Sequence, residues 1–556
     1  MNILGLYGAI NWDGNVSFDI HNEKSWVHDS GVTLFIDGKH ISSISEERLT
    51  RQKFEGNFPI HSIQYCLSEG NISREDVDEI YMPSMCLTKF YHKVRSGSVE
   101  SILKRIFPNA KLHIVSHHLS HAASSIFTSD FQEGCFIILD GAGSVFFNCR
   151  DEFIDVETST IGYFNKKRNI FRMFPGINGK HSNNFGTYYV NRANQVYNKK
   201  TKKHSDPNCG YHRESVSGKI MGLSAYGKTK LSESVKEYGI STTDGYPYVS
   251  LGGDVVCELL SADEEAYVVQ NNFENALVDY FNELNRLNFL EENICLAGGS
   301  FLNVLGNSRL KKLGYNIHVP PCTSDTGLHF GAACYGVYKS KQKISLPKNI
   351  ALLGKEYSEE EITTQLDKFN LEYERYENFE DVCEITSQKL NENKIIGWFQ
   401  GRSEFGPRSL GSRSILMHPG PSSNKDIMNS RVKHREEWRP FAGIILEEYL
   451  SEYFEEDFCS PYMLYSLTVR EEKRDKIGAI THIDNTCRIQ TSNRELYPEV
   501  TTLIQKFNEI SGIPVVLNTS FNDNGEPIVE SPEDAIKAFN NLDIDYLVIG
   551  NFIVEK

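Results

Sequence analysis

The sequence predicts an α/β protein of more than one domain. Apolar runs that end in a glycine turn and open into a helix-like stretch recur over roughly the first 340 residues, a pattern of strand followed by helix. The chain of 556 residues is too long for one hydrophobic core. Its 40% hydrophobic and 24% charged content is that of an ordinary globular protein.

The elements follow in order. NILGLY near the start is an apolar strand. GVTLFID and HISSISE alternate and are joined by a short Gly-Lys turn, the signature of a hairpin. In VSHHLSHAASS, His117 and His121 stand four apart before a helix-like run, so on a helix they share a face while His118 points elsewhere. Two imidazoles alone do not make a metal site, and the pair needs carboxylates from elsewhere. CFIILDGAG reads as a buried strand ending at Asp140 and glycines. ENICLAGGSFLNVLGNSRLKKL reads as strand, Gly-Gly turn and helix, and IHVPPCTSDTGLHFGAACYGVYKS repeats the pattern with Asp325 in the turn. Such turns present free backbone N–H groups suited to a nucleotide phosphate.

Residues 196–213 are polar and lysine-rich and predict a mobile surface loop, and 339–348 predicts an interdomain linker. SEEEITTQLDKF opens with a helix cap and an acidic first turn. No long internal repeat is legible.

The net charge of −16 argues against a nucleic-acid partner, since phosphate backbones demand a basic footprint. Its 12 cysteines include no Cys-x-x-Cys, which points away from a zinc ribbon and towards a reducing cytoplasm. The start lacks a basic signal-peptide region and no apolar run has membrane-spanning length, so neither export nor a membrane is expected.

Residues 402–439 break the acidic trend, with eight Lys or Arg against four acids. These cations sit in FGPRSLGSRSIL and WRPFAG, where Gly, Pro and apolar residues imply turns packed on a core. Arginines held there converge more readily on a small anion than on solvent. THIDNTCRIQT and LNTSFNDNGEPIVESPEDA add His482, Arg488, Asn518 and Ser520 in loop-like contexts after apolar strands.

At this point a resemblance becomes specific. HDSGVTLFIDGKHISSISEERLTRQKFEGNFP, HHLSHAASS, GKIMGLSAYG, LAGGSFLNVLGN, SDTGLHFGAA, SEFGPRSLGSRSIL, VKHREEWRPFAG, HIDNTCRIQT and LNTSFNDNGEPIVESP follow in order the pattern of the NodU-type O-carbamoyltransferases, over nearly the whole chain. The resemblance implies an N-terminal domain (1–345) of the actin-like ATPase class, related to threonylcarbamoyl transferases, and a C-terminal YrdC-like domain (346–556). It implies that carbamoyl phosphate and ATP, with Mg2+, form carbamoyl adenylate, whose carbamoyl group passes to the hydroxyl of a small-molecule or sugar acceptor.

The resemblance also implies roles. His117, His121, Asp140 and Asp325 would hold a divalent metal. Imidazole and carboxylate donors suit Fe(II), Mn or Zn rather than Ca, and the family points to iron. His28 and Asp29 would form the transfer site, a neutral His28 taking the hydroxyl proton. Arg408, Lys433, Arg439, Arg488 and Ser520 would bind carbamoyl phosphate, with Arg413, His482 and Asn518 lining it. Lys219, Gly298, Gly299 and Asn303 match the nucleotide-contacting segments. Ser217 stands where the family carries an acid, and HSNNFGTYYVNRANQVY fits loosely, which leaves the acceptor open. Competing readings are a threonylcarbamoyl-type tRNA-modifying enzyme, an actin-like sugar kinase, a metallopeptidase lacking the Glu of His-Glu-x-x-His, and a non-catalytic binding protein.

Overall fold

The computed structural model describes residues 1–9, 27–84, 98–147, 153–177, 184–202, 216–228, 236, 238–243, 246–251 and 260–556. The chain divides into two compact units: Met1–Thr50 with Phe54–Pro347, and Lys348–Lys556 with Arg51–Lys53. The division falls two residues beyond 345, because Ser345 still bridges to Lys39 of the first unit's hairpin.

Among the described residues of the first unit, two sheets share one topology. In the first, Asn2–Tyr7 pairs antiparallel with Gly31–Ile36 and parallel with Glu79–Pro83; the outer strands are Lys39–Ser45 and Lys111–Val115. In the second, Glu133–Leu139 pairs antiparallel with Phe153–Asn165 and parallel with Asn293–Ala297; the outer strands are Ile170–Ile177 and Asn316–His318. Leaving aside the short strand Val145–Phe147, which also pairs with Phe153–Asn165, and ranked by chain position, both run 3-2-1-4-5. The α/β class is as expected, and the same strand order recurs in the two sheets. The duplication is one of topology, so it leaves no legible sequence repeat.

The expected hairpin forms, with Val32 and Leu34 fully buried beside Leu4, Leu6 and Ile80, but Thr33 and Phe35 are buried too, so both faces of this strand are covered. The helix His117–Thr128 starts at Ser116, whose Oγ accepts from Leu119 N. It packs against the helix Leu328–Lys339 at Gly331, where a Cβ would stand 1.9 Å from the Ser120 carbonyl oxygen. Only glycine allows this approach, and it brings the histidine helix to the turn holding Asp325.

The loop expected at 196–213 is corrected in part. Residues 196–201 end the helix Phe185–Thr201, where Lys199 and Lys200 pair with Glu265 (3.1 Å) and Asp263 (2.6 Å) of the helix Ala262–Arg286. Those pairs and the apolar side chains beneath them outweigh the local polarity. Residues 203–213 lie outside the described residues, as do 181–183 of the loosely fitting segment.

The second unit is built on a nine-stranded mixed sheet. Its centre holds Ile396–Phe399, Arg413–Met417, Val515–Ser520, Ala442–Leu446 and Thr486–Ser492 in spatial order. Trp398, Leu416, Ile444, Val516, Leu503 and Phe507 form its core. Ser358 caps the helix Glu359–Lys368 as expected, and with Glu361 it forms a capping box. No helix among the described residues is long and apolar enough to cross a membrane.

Candidate functional site

In the first unit, four side chains meet at the ends of elements of the second sheet and its flanking helices. Asp140 directly follows the strand Glu133–Leu139, and Asp325 opens the turn before Leu328–Lys339. His117 Nε2 lies 3.2 Å from Asp140 Oδ2 and 3.4 Å from Asp325 Oδ1; His121 Nε2 lies 3.1 and 3.4 Å from the same atoms. All four are buried, and their ligand atoms lie within 4.8 Å of one another. Donors bonded to one ion at ~2.0–2.2 Å are separated by about 3–3.5 Å, so the imidazole-to-carboxylate spacings fit a shared cation. Two nitrogens and two oxygens suit a first-row transition ion.

Each carboxylate is aimed by a second contact. Asp140 Oδ1 accepts from Gly141 N (2.7 Å) and Gly299 N (3.3 Å), turning Oδ2 to the histidines. Asp325 Oδ2 accepts from the Tyr7 hydroxyl at 3.0 Å, which leaves Oδ1 for them. Burial alone would lower the His117 pKa; the Asp325 and Asp140 carboxylates outweigh it and raise it to about 10. Conversely, the histidines hold both carboxyls well below the usual range against the opposing effect of burial.

His28 stands beside this cluster. Its Nδ1 bonds Asp29 Oδ2 at 2.9 Å and its Nε2 lies 3.8 Å from Asp325 Oδ2. Asp29 has φ +60°, a left-handed conformation that Asp tolerates better than most residues. Burial pushes the His28 imidazole down, but Asp29 and Asp325 lift it to about 9.

In the second unit, basic side chains crowd one another. Arg488, on the strand Thr486–Ser492, is held well below the usual guanidinium range by burial and then by Arg408, Arg435 and Arg439. Burial and Arg439 bring Arg408 down to about 10 and Arg435 to about 9. Glu436, 3.5 Å from Arg439, offsets only part of this charge. The Nε atoms of Arg408 and Arg488 are buried with no hydrogen-bond partner among the described residues. Like charges gathered in this way are costly until an anion joins them.

Both halves match family models. Residues 20–89 and 257–334 match the carbamoyltransferase N-terminus, and residues 387–556 the carbamoyltransferase C-terminus. Nodulation protein NolNO of Sinorhizobium fredii is 30% identical over all of this chain and 83% of its own length. The chain belongs to the carbamoyltransferase family. An uncharacterized protein of Synechocystis is 30% identical over 96% of both chains. The 3'-hydroxymethylcephem-O-carbamoyltransferase of Streptomyces clavuligerus is 30% identical over 62% of this chain and 65% of its own.

This carbamoyltransferase uses several of the singled-out residues as scaffold. Arg413, expected to line the anion site, is wholly buried and donates to the carbonyl oxygens of Gln400, Ser412, Lys355 and Gly401. Its guanidinium also lies 3.6 Å over the Phe399 ring. In this structure Arg413 ties loops together rather than presenting its guanidinium to solvent. Asn518 Nδ2 donates to the Ser409 carbonyl, fixing the loop that carries Arg408. Lys433 Nζ donates to the carbonyls of Ser520 and Asn522 (2.8 Å each) and to Asn522 Oδ1, joining two predicted residues, Lys433 and Ser520, directly. His482 opens a tight turn, its N–H donating to the Thr486 carbonyl.

Of the residues expected to contact a nucleotide, Gly298 has φ +102° and a Cβ there would stand 2.3 Å from the Leu139 carbonyl oxygen, so only glycine fits beside the strand end. Gly299 N–H reaches Asp140. Asn303 is engaged as the N-cap of the helix Val304–Lys312 and with Gln270. Lys219 lies 4.6 Å over the Tyr197 ring.

Three residues escaped sequence reasoning. Tyr7 ends an apolar strand and gave no polar signal. Arg435 belongs to the counted basic run, but nothing in its spacing set it apart from Arg413. Glu157 lies in a segment without a motif.

Proposed function

We propose that this carbamoyltransferase makes carbamoyl adenylate from carbamoyl phosphate and ATP, then transfers the carbamoyl group to a hydroxyl of a small-molecule or sugar acceptor. The observation that carries this reading is the cluster of Arg408, Arg435, Arg439 and Arg488, with the buried Nε atoms of Arg408 and Arg488 lacking hydrogen-bond partners among the described residues. A phosphate dianion satisfies those donors and relieves the mutual repulsion, and charge developing on its oxygens as it leaves is met by the same groups.

Water cleaves carbamoyl phosphate to carbamate and inorganic phosphate in the second unit. A carbamate oxygen attacks the α-phosphorus of ATP, which enters with its Mg2+, and pyrophosphate leaves. The acceptor oxygen then attacks the carbamoyl carbon, AMP departs, and the hydroxyl proton passes to His28 Nε2. Asp29 holds the opposite ring nitrogen, fixing the tautomer that leaves Nε2 as acceptor. A divalent ion held by His117, His121, Asp140 and Asp325, with iron the family's indication, would neutralise the Asp325 field that protonates His28 and screen a nucleotide phosphate. The name of the cephem relative specifies O-carbamoylation at a hydroxymethyl group, which supports a hydroxyl acceptor here.

Purified protein given ATP, carbamoyl phosphate and a panel of hydroxyl compounds should release AMP, pyrophosphate and phosphate while one compound gains a carbamoyl mass. Stoichiometric ADP without pyrophosphate would overturn the adenylate route.

A further inference from the structure

Glu157 is 2% exposed and carries no role in the chemistry above. Its two carboxylate oxygens reach two separate stretches of chain. Oε1 accepts from Ser116 Oγ at 2.7 Å, the residue that caps the helix bearing His117 and His121. Oε2 accepts from Ser144 N at 2.9 Å and lies 3.4 Å from His118 N, a donor of the helix's first turn. Ser144 Oγ in turn accepts from His117 N at 2.9 Å.

The backbone of Glu157 is pinned to the same place. Its carbonyl accepts from Gly143 N and its N–H donates to the Ser144 carbonyl, while the next residue, Thr158, accepts from Asp140 N. One side chain thus joins the start of the histidine helix to the loop that follows Asp140. Three of the four cluster residues depend on the relative position of those two stretches. A buried carboxylate at a helix N-terminus also meets the positive end of the helix dipole, so it holds the first turn by charge as well as by hydrogen bonds.

We propose that Glu157 is the positioning residue of the His117–His121–Asp140–Asp325 centre, setting the distance between the histidine pair and Asp140 through the Ser116 and Ser144 contacts. This rests on reading those four residues as a metal centre. Glutamine at 157 keeps the length but offers one acceptor oxygen in place of two, so one of the two stretches is released. Aspartate keeps the charge but is too short to span both. Ser144→Ala removes the hydroxyl that holds His117 N and that also bonds the Ser84 hydroxyl, while the Ser144 N–H contact to Glu157 stays.

The test uses the full chain stripped of metal and titrated with Co(II), whose visible absorption reports the donor set and its geometry. Wild type should bind one Co(II) per chain, and Asp325→Asn should lose it. Glu157→Gln and Glu157→Asp should bind about 10–100-fold more weakly, the usual loss when a residue orienting metal ligands is changed. Their Co(II) absorption bands should shift while the apo proteins keep a cooperative melting transition. Where Glu157→Gln does not fold, Ser144→Ala carries the test and should show a weaker Co(II) affinity with shifted bands. Wild-type affinity and bands in the folded variants would overturn the positioning role alone. Failure of wild type to bind Co(II) would overturn the metal centre and this inference with it.

Discussion

The Tyr7 hydroxyl donates to Asp325 Oδ2 at 3.0 Å across 318 positions of sequence, and the Tyr7 ring stands edge-on to His117 with centroids 6.3 Å apart. A residue from the first strand therefore orients a carboxylate from the far end of the same unit. Tyr7→Phe should leave that buried oxygen one donor short, at a stability cost of about 1–2 kcal/mol. Metal retention under a competing chelator should fall several-fold, as measured by elemental analysis after dialysis. Unchanged retention would show that the hydroxyl does not orient the cluster.

Removing a ligand should be more severe. His117→Ala or Asp325→Ala should lose bound metal and abolish acceptor carbamoylation while the chain stays folded, since the remaining donors cannot complete the set. Full metal content in both purified variants would contradict the assignment of the pair.

The two units should be separable by mutation. Arg439→Ala should cost carbamoyl phosphate use about 2–4 kcal/mol of transition-state stabilisation, yet preformed carbamoyl adenylate should restore product. His28→Ala should make adenylate from carbamoyl phosphate and fail to pass the group on. The assay is acceptor carbamoylation by each variant with either donor. An Arg439→Ala protein that stays inactive with adenylate would refute the division of labour.

Arg413 should behave unlike its basic neighbours. Because its guanidinium donates to four carbonyl oxygens, of which those of Ser412 and Lys355 also accept a backbone N–H, Arg413→Met should lower stability by about 1–3 kcal/mol through the buried acceptors left short of a donor. Denaturant titration measures this. Equal stability with lost phosphate affinity would return Arg413 to the anion site.

His329 provides a pH signature. It is fully buried, bonded to Thr33 Oγ1, and burial together with His40 lowers it to about 3. The folded chain keeps this imidazole neutral while the unfolded chain takes up a proton near pH 6.5. Its contribution is thus complete above pH 6.5 and is lost as pH falls from there towards 3, by up to about 1.4 kcal/mol per pH unit. Melting temperature followed between pH 7 and 5 should fall less steeply in His329→Gln than in wild type.

The sequence by itself determined the local architecture. Alternating apolar runs specified the hairpin of Gly31–Ile36 and Lys39–Ser45, and glycine turns placed Asp140 and Asp325 just past strand or turn positions. A four-residue spacing placed His117 and His121 on one face of a helix. These features depend on backbone periods and steric rules acting over a few residues, so they can be read from the chain.

Tertiary structure alone decided the partners. Arg413 and Arg435 lie in one basic stretch and each stacks over a Phe ring, yet Arg413 is taken up by four carbonyl oxygens while Arg435, bonded to Asn429 Oδ1 and the Pro440 carbonyl, feels the charge of Arg439. Nothing in their spacing distinguishes them, because the carbonyls of Lys355, Gln400 and Gly401 reach Arg413 only on folding. Tyr7 and Glu157 were silent for the same reason: a hydroxyl or a carboxylate acquires its role from whatever folding brings within 3 Å of it. The doubled sheet order was hidden too, since apolar core positions accept many residue types and can preserve a topology without preserving a repeat.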